Sequence, residues 1–372
     1  MEHLRRTSAR REFQFVSLFA NIGGFDMGAM RANGHTVLAN DISPTALRIH
    51  RRNFPGVILD NQNVGAIASS AAATAAFLAK AGLYPGEPDC MAGGSPCNRF
   101  SSMSQHHGLS RSPLDTRRLL LDYADVIRHA RPLTAIAENV AALAFRYPYY
   151  LENFLNRVRF DEDGSRKNYA TYKVLCASNY GVAQIRRRTI VVVIRADVGA
   201  EIGITTDPAV AGIFPDPTTP VPPTVRWALQ DLHQTRRHIE TFLDPMARGR
   251  IADVVRRLPF EPDVVTRPFN VGLPRTSWYT LERCAWDKPA PTLTARGLMP
   301  IALSGALHPM RHGKFSIPEI MRLFGVPDDF DFGWATASEA AERLGLMIPP
   351  PFAEAIFSSL LQKVLRPYRA RA

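Results

Sequence analysis

The chain has 372 residues, 46% hydrophobic and 21% charged, a globular composition with length for two domains, which excludes a disordered, collagen-like or disulfide-stapled polypeptide. Forty-five basic residues against 34 acidic ones leave a net charge of +11, a field that suits a polyanionic partner. The four cysteines, Cys90, Cys97, Cys176 and Cys284, show neither a disulfide framework nor a zinc spacing, so no metal and a reducing compartment are expected.

The basic amino-terminal stretch carries no apolar core of a leader, and no later run reads as a membrane span, so a soluble, cytoplasmic protein is expected. Charge is uneven: residues 1–197 hold 25 basic and 16 acidic residues, whereas 198–334 hold 15 of each.

In chain order, FQFVSLF over 13–19 reads as a strand, Asn21-Ile22-Gly23-Gly24 as a tight turn, and the stretch ending near Asn33-Gly34 as a helix. Thr36 to Asn40 is a second strand, leading through Asp41 to a helix opened by Ser43-Pro44. Gly56 to Leu59 is a third, ending at Asp60 before an Ala-rich helix over 66–81. Strands at 88–92, 133–138, 171–176 and 189–194 and a helix over 116–130 continue the alternation. It predicts an α/β fold with a doubly wound, mostly parallel sheet and helices on both faces. The proline-rich stretch 198–225 breaks the pattern, short elements follow to about 340, and an apolar helical pattern returns over 351–365. The expected domains are 1–197 plus 341–372, and 198–340.

Three clusters could carry chemistry. Ligands of such sheets bind at the carboxyl ends of the strands. Gly23 and Gly24 give the first turn room for a cofactor, Asp41 can hold ribose hydroxyls, and Asp60 can read a nucleobase edge, although each alone could be a turn or a helix cap. The second cluster, Gly93 to Ser101, puts Cys97 on a Gly/Pro loop beside Arg99, where a nearby cation favours the thiolate. Glu138, ending the strand before Asn139-Val140, brings a carboxyl group to the same edge, suited to holding or protonating a substrate. In the third, Gln184-Ile185-Arg186-Arg187-Arg188 enters a Val/Ile strand, and alternation aligns Gln184, Arg186 and Arg188 on one face, where phosphate or a base edge would partner them.

Taken in order, these residues resemble the DNA (cytosine-5)-methyltransferase family. Phe19 through Gly24 is similar to its first cofactor motif, Gly94-Ser95-Pro96-Cys97 to its Pro-Cys motif, Glu138-Asn139-Val140 to its Glu-Asn-Val motif, and 184–188 to its Gln-x-Arg-x-Arg motif. Trp286 through Arg296, and Pro318 through Asp328, resemble two later stretches of the family.

The resemblance implies a Rossmann-like S-adenosylmethionine-dependent methyltransferase domain, with a smaller target-recognition domain inserted before the carboxy-terminal helix. It also implies a monomer acting on a cytosine flipped out of a specific double-stranded DNA site. Cys97 would attack C6, Glu138 would hold N3 and the exocyclic amine, Arg188 would contact O2, and Arg186 would support the same pocket. The cofactor would be met by Phe19, Asn21, Gly23, Gly24, Asp41, Ile42, Asp60, Pro96 and Leu346, and the DNA by Arg99, Ser101, Gln184 and Arg296. The sequence departs from the family pattern at Ser17, Asn21, Asn98 and Leu346, which stand where an acidic residue, Gly, Gln and Asn are usual. A weak or inactive DNA-binding relative, and an RNA cytosine methyltransferase, stay open as alternatives.

Overall fold

Short runs rich in Phe, Val and Ile build a seven-stranded sheet in the order β3-β2-β1-β4-β5-β7-β6. The strands are β1 (Phe13–Leu18), β2 (Gly34–Asn40), β3 (Ile58–Asp60), β4 (Cys90–Gly94), β5 (Thr134–Val140), β6 (Asn168–Cys176) and β7 (Arg187–Arg195). The computed structural model describes residues 11–96, 116–232, 250–261, 263–267, 272, 281–298 and 305–371. Strands β1 to β5 pair in parallel, and their connecting helices include α1 (Gly24–Arg31), α2 (Pro44–Asn53), α3 (Ala71–Ala79) and α4 (Thr116–Ala130). The expected α/β architecture is present. Strand β7 runs antiparallel to β5, and Thr189 through Ile194 are all buried, as a strand covered on both faces requires.

Local chemistry sets the helix starts. Ser43 accepts the amide of Ala46 at 3.2 Å and Pro44 occupies the first turn of α2, where a missing N–H costs nothing. The Ala-rich stretch expected as one helix over 66–81 is two, Val64–Ile67 and α3, because Ser70 accepts the amide of Ala73 at 3.1 Å and opens a second start. Near the carboxyl end, the helix Pro350–Leu360 places the Phe357 ring 5.7 Å from Phe13, 5.1 Å from Phe15 and 6.0 Å from Phe25. Among the described residues, Ala337–Arg369 is long and apolar enough to cross a membrane by composition, a run the sequence reading passed over. Its apolar window is 78% buried within the protein, and Met347 leaves helical geometry with ψ 148°, so its hydropathy is that of a core.

By internal packing the chain divides into two units, one of Glu2–Leu175, Arg187–Asp216 and Ala353–Ala372, the other of Cys176–Arg186 and Pro217–Phe352. These bounds differ from those expected at 198 and 340. Residues 198–216 stay with the sheet because Ser359 Oγ donates to Ile213 O at 2.6 Å, and Lys363 Nζ donates to Gly212 O at 3.0 Å and Phe214 O at 3.2 Å. The carbonyls of 212–214 thus strap this stretch onto the last helix. Residues 341–352 fall in the other unit, where Gly345 lies so close to the Ala295 backbone that a Cβ would stand 2.1 Å from its nitrogen.

That second unit contains the two-stranded parallel sheet of β8 (Leu281–Arg283) and β9 (Gly305–Leu307). Arg283 is fully buried and donates to the carbonyls of His308 at 2.9 Å, Arg311 at 2.6 Å, Val255 at 3.2 Å and Leu258 at 3.3 Å. One side chain thus ties the helix Arg250–Arg257 to the sheet, and burial draws its pKa down to about 10. Burial likewise lowers the Lys314 ammonium from 10.5 to about 7. A folded-state pKa below the unfolded one means that the unfolded chain binds more protons, so stability should climb as pH rises from about 7 towards 9, above which the buried Cys90 and Cys284 thiols, whose pKa burial pushes up, act in the opposite sense. Thermal melts across that window should show the climb, and Lys314→Met should flatten it; an unchanged slope in the variant would assign the dependence elsewhere.

Candidate functional site

The carboxyl ends of β1 to β5 share one edge of the sheet, and antiparallel β7 begins there, with Arg188 paired opposite Val140 in register. Strand direction therefore brings a cationic side chain to an edge otherwise lined by carboxylates.

At the end of β1 the chain turns sharply: Phe19 and Asn21 have φ of 52° and 49°, and Gly23 has φ 91°. Asn tolerates this left-handed geometry better than most side chains, which accounts for Asn21 in a turn where glycine is usual. Asn21 is buried, and its backbone N–H donates to Asp41 Oδ2 at 2.8 Å. Asp41 Oδ1 accepts from the Ser43 amide at 2.8 Å, so one carboxylate joins the first turn to the start of α2. Phe19 is half-buried, its ring edge-on to Tyr123 at 6.0 Å. Gly24 opens α1 and is buried, whereas Ile42 is 58% exposed.

Gly23 has no tolerance for a side chain. A Cβ there would lie 2.3 Å from the Phe54 ring. Gly23→Ala should therefore cost about 1–3 kcal/mol from backbone strain alone, read as a lower melting temperature, and shortening the ring with Phe54→Leu should return part of it. No loss in Gly23→Ala would show that the turn relaxes freely.

Beneath this turn lies a buried network absent from the sequence reading. Asp26 Oδ2 accepts from Ser17 Oγ at 3.0 Å, and Asp26 Oδ1 meets His50 Nε2 at 3.0 Å, all three residues being buried. The His50 ring packs on Phe54 at 4.5 Å, so the network reaches the ring that abuts Gly23. The signal available was Ser17 itself, a hydroxyl where a carboxylate is usual, with a carboxylate nine residues on.

Asp60, at the end of β3, is buried. Its Oδ1 accepts from Asn40 Nδ2 at 2.7 Å and the Gln62 amide at 3.0 Å, while Oδ2 pairs with Lys80 Nζ. Asn40 and Lys80 drew no attention in the sequence, where one reads as a strand end and the other as a helix end.

At the centre of the edge, Glu138 Oε1 takes Arg188 Nε at 2.7 Å, both side chains largely buried. Gly94 makes room for the carboxylate: a Cβ there would stand 2.8 Å from Glu138 Oε2. Asn139 Nδ2 donates to Ser95 O at 3.2 Å and Ser95 Oγ at 3.1 Å, fixing the loop that leaves β4. Pro96 on that loop is half-buried. Cys97, Arg99 and Ser101 lie outside the described residues.

Burial alternates through 184–188 as expected, with Gln184, Arg186 and Arg188 buried and Ile185 and Arg187 exposed. Strand β7 itself starts at Arg187, so Gln184 and Arg186 stand before it and take different partners from Arg188. Gln184 is fully buried, its Oε1 accepting the Leu293 amide at 3.0 Å. Arg186 is also buried, donating to Leu293 O and Gly345 O, each at 3.2 Å, with its guanidinium over Phe324. It holds together the second unit, and Arg188 alone of the three meets Glu138. In that unit Leu346 ends the helix Ala337–Leu346 with 47% exposure, and Arg296 is an exposed turn residue.

The family described as "C-5 cytosine-specific DNA methylase" matches residues 13–362. The chain is 26% identical over 395 residues to "Type II methyltransferase M.SacI" of Streptomyces achromogenes, covering 95% of this chain and 94% of that protein. It is 24% identical over 377 residues to "Type II methyltransferase M.NgoPII" of Neisseria gonorrhoeae, covering 95% and 96%. Among solved structures, an E. coli protein described as a prophage-encoded DNA modification methyltransferase superposes with a TM-score of 0.63 at 20% identity, covering 94% of this chain and 99% of its own. A DNMT2 variant of Spodoptera frugiperda superposes with a TM-score of 0.60 at 13% identity, covering 94% and 99%. At these identities the superpositions speak to the fold alone.

Proposed function

Since the chain belongs to the C-5 cytosine-specific DNA methylase family and is a DNA (cytosine-5-)-methyltransferase, we propose that it methylates C5 of a cytosine flipped out of a specific duplex sequence. The methyl comes from S-adenosylmethionine, and the route passes through a covalent bond between Cys97 and C6. The observation that carries this reading is the Glu138–Arg188 pair at 2.7 Å, joined through Asn139 to the Ser95-Pro96 loop that leads into Cys97.

The residues of the first turn suit a nucleoside-bearing cofactor. Each Asp41 oxygen accepts one backbone N–H, which holds the carboxylate at the turn where a ribose hydroxyl would meet it, and the positive φ at Phe19, Asn21 and Gly23 lets the ligand approach the backbone. S-adenosylmethionine supplies an electrophilic methyl on a sulfonium.

In the reaction, the Cys97 thiolate forms the S–C6 bond while a proton passes by way of Glu138 to N3, so the ring electrons gather at C5. C5 then takes the methyl group. Loss of the C5 proton to a solvent base lets the S–C6 bond break, returning its electron pair to Cys97 as N3 gives its proton back to Glu138. Arg188 keeps the carboxyl group oriented and would contact O2 of the base. Arg99, Ser101 and exposed Arg296 are assigned to the DNA, for which a net charge of +11 is suited.

The covalent step has a direct test. Duplex DNA synthesised with 5-fluorodeoxycytidine throughout offers no C5 proton to remove, so protein incubated with it and S-adenosylmethionine should give an adduct that survives denaturing gel electrophoresis, and Cys97→Ala should give none. Methylation of ordinary DNA without any trapped adduct would overturn the covalent route.

A further inference from the structure

Asp60 and Lys80 form a pair whose two halves have different surroundings. The Asp60 side chain is 4% exposed and that of Lys80 38%, so the carboxylate lies inside and the ammonium at the surface. Asp60 Oδ1 is filled by Asn40 Nδ2 and the Gln62 amide. Asn40 is itself clamped by the Gln62 carbonyl at 2.9 Å and the Asp60 carbonyl at 3.3 Å, which fixes the carboxylate plane. Among the described residues Oδ2 takes only the Lys80 ammonium, and that ammonium takes only Oδ2. An acceptor lone pair and two N–H donors thus stand side by side and uncommitted. Their place is the carboxyl edge of the sheet next to the ribose-binding candidate, since the Asp41 amide donates to Asp60 O at 3.1 Å.

As an ion pair, Lys80 offsets the burial of the Asp60 carboxylate, a part that any cation there could fill. A donor beside an acceptor is, however, the complement of adenine, which presents an N6–H donor next to the N1 acceptor. A 6-oxopurine presents the reverse, an O6 acceptor next to an N1–H donor. We propose that Lys80 and Asp60 together read this edge of the cofactor, Lys80 donating to adenine N1 and Asp60 accepting from the exocyclic amine, and so select an adenine over a 6-oxopurine. The assignment rests on the cofactor reading above and makes Lys80 a specificity-determining residue. A site built to match a hydrogen-bonding pattern rejects the mismatched ligand strongly, because its own buried groups are then left unpaired.

The test is calorimetric titration of the full chain, wild type and Lys80→Met, with S-adenosylhomocysteine, its 1-deaza-adenine counterpart and S-inosylhomocysteine, alongside thermal melts. Lys80→Met should melt below the wild type, because the buried Asp60 carboxylate loses its cation, and should bind S-adenosylhomocysteine about tenfold more weakly, one hydrogen bond's worth. The 1-deaza ligand, lacking the N1 acceptor, should already bind the wild type about tenfold more weakly and lose nothing further in the variant. The wild type should discriminate against the inosyl ligand, and the variant should discriminate less. Equal or tighter binding of S-adenosylhomocysteine by Lys80→Met would overturn the proposal, as would an equal further loss with the 1-deaza ligand, the mark of a merely structural role. Absence of S-adenosylhomocysteine binding by the wild type would overturn the cofactor reading itself and this assignment with it.

Discussion

Replacing Cys97 by alanine is expected to bring methyl transfer to background while leaving binding of S-adenosylhomocysteine at the wild-type level. Without the thiolate, C5 of a neutral cytosine is too weak a nucleophile, because the covalent bond at C6 is what raises its electron density. The substitution touches none of the contacts that shape the cofactor end of the sheet: Asn21 to Asp41, Ser43 to Asp41, and the Asp60 cluster all lie on other turns. Incorporation of a labelled methyl group together with titration of the cofactor product separates the two effects. Turnover in Cys97→Ala would remove this residue from the chemistry, and simultaneous loss of cofactor binding would give it a structural part.

Glu138→Gln should lower kcat by about 10²–10⁴-fold, the range for a positioned acid–base group, with little change in melting temperature. The amide can still accept a hydrogen bond from Arg188 Nε through its carbonyl oxygen but has no proton to give at N3. Glu138→Ala should lose both activity and stability. Arg188 is largely buried and its Nε meets Glu138 at 2.7 Å, and removing one member of a buried pair strands the other charge, a loss of about 3–5 kcal/mol at full burial. The contrast between the two variants therefore divides chemistry from packing. A Gln variant with near-normal kcat would leave Glu138 a partner of Arg188 and nothing more.

Much of this arrangement was legible because it depends on local signals. Apolar runs ending in Asp41, Asp60 and Glu138 mark the strands whose carboxyl ends form the site, and Gly23 marks the turn that admits no side chain. What escaped the sequence depends on partners distant along the chain. Strand direction is one case: the Val/Ile run of β7 looks alike in either sense, yet only the antiparallel one brings Arg188 to Glu138. The run 184–188 is another. Its five residues read as one strand entry, but Ile185 donates to the Ala290 carbonyl at 2.7 Å and Gln184 accepts from Leu293, so the first three residues belong to a different packing unit. Proline density likewise suggested a boundary at 198, whereas side chains from the last helix, Ser359 and Lys363, decide that 198–216 stays with the sheet. The Ser17–Asp26–His50 network and the Asp60–Lys80 pair fall in the same class. Each is made of ordinary residues, and only the fold shows that their polar atoms meet.

The most direct test of the account is mass spectrometry of nucleosides from unmethylated duplex DNA incubated with the purified protein and S-adenosylmethionine. The account predicts 5-methyldeoxycytidine, dependent on the cofactor and absent with Cys97→Ala. Methylation at the exocyclic N4 instead of C5, or 5-methyldeoxycytidine formed equally well by Cys97→Ala, would contradict it.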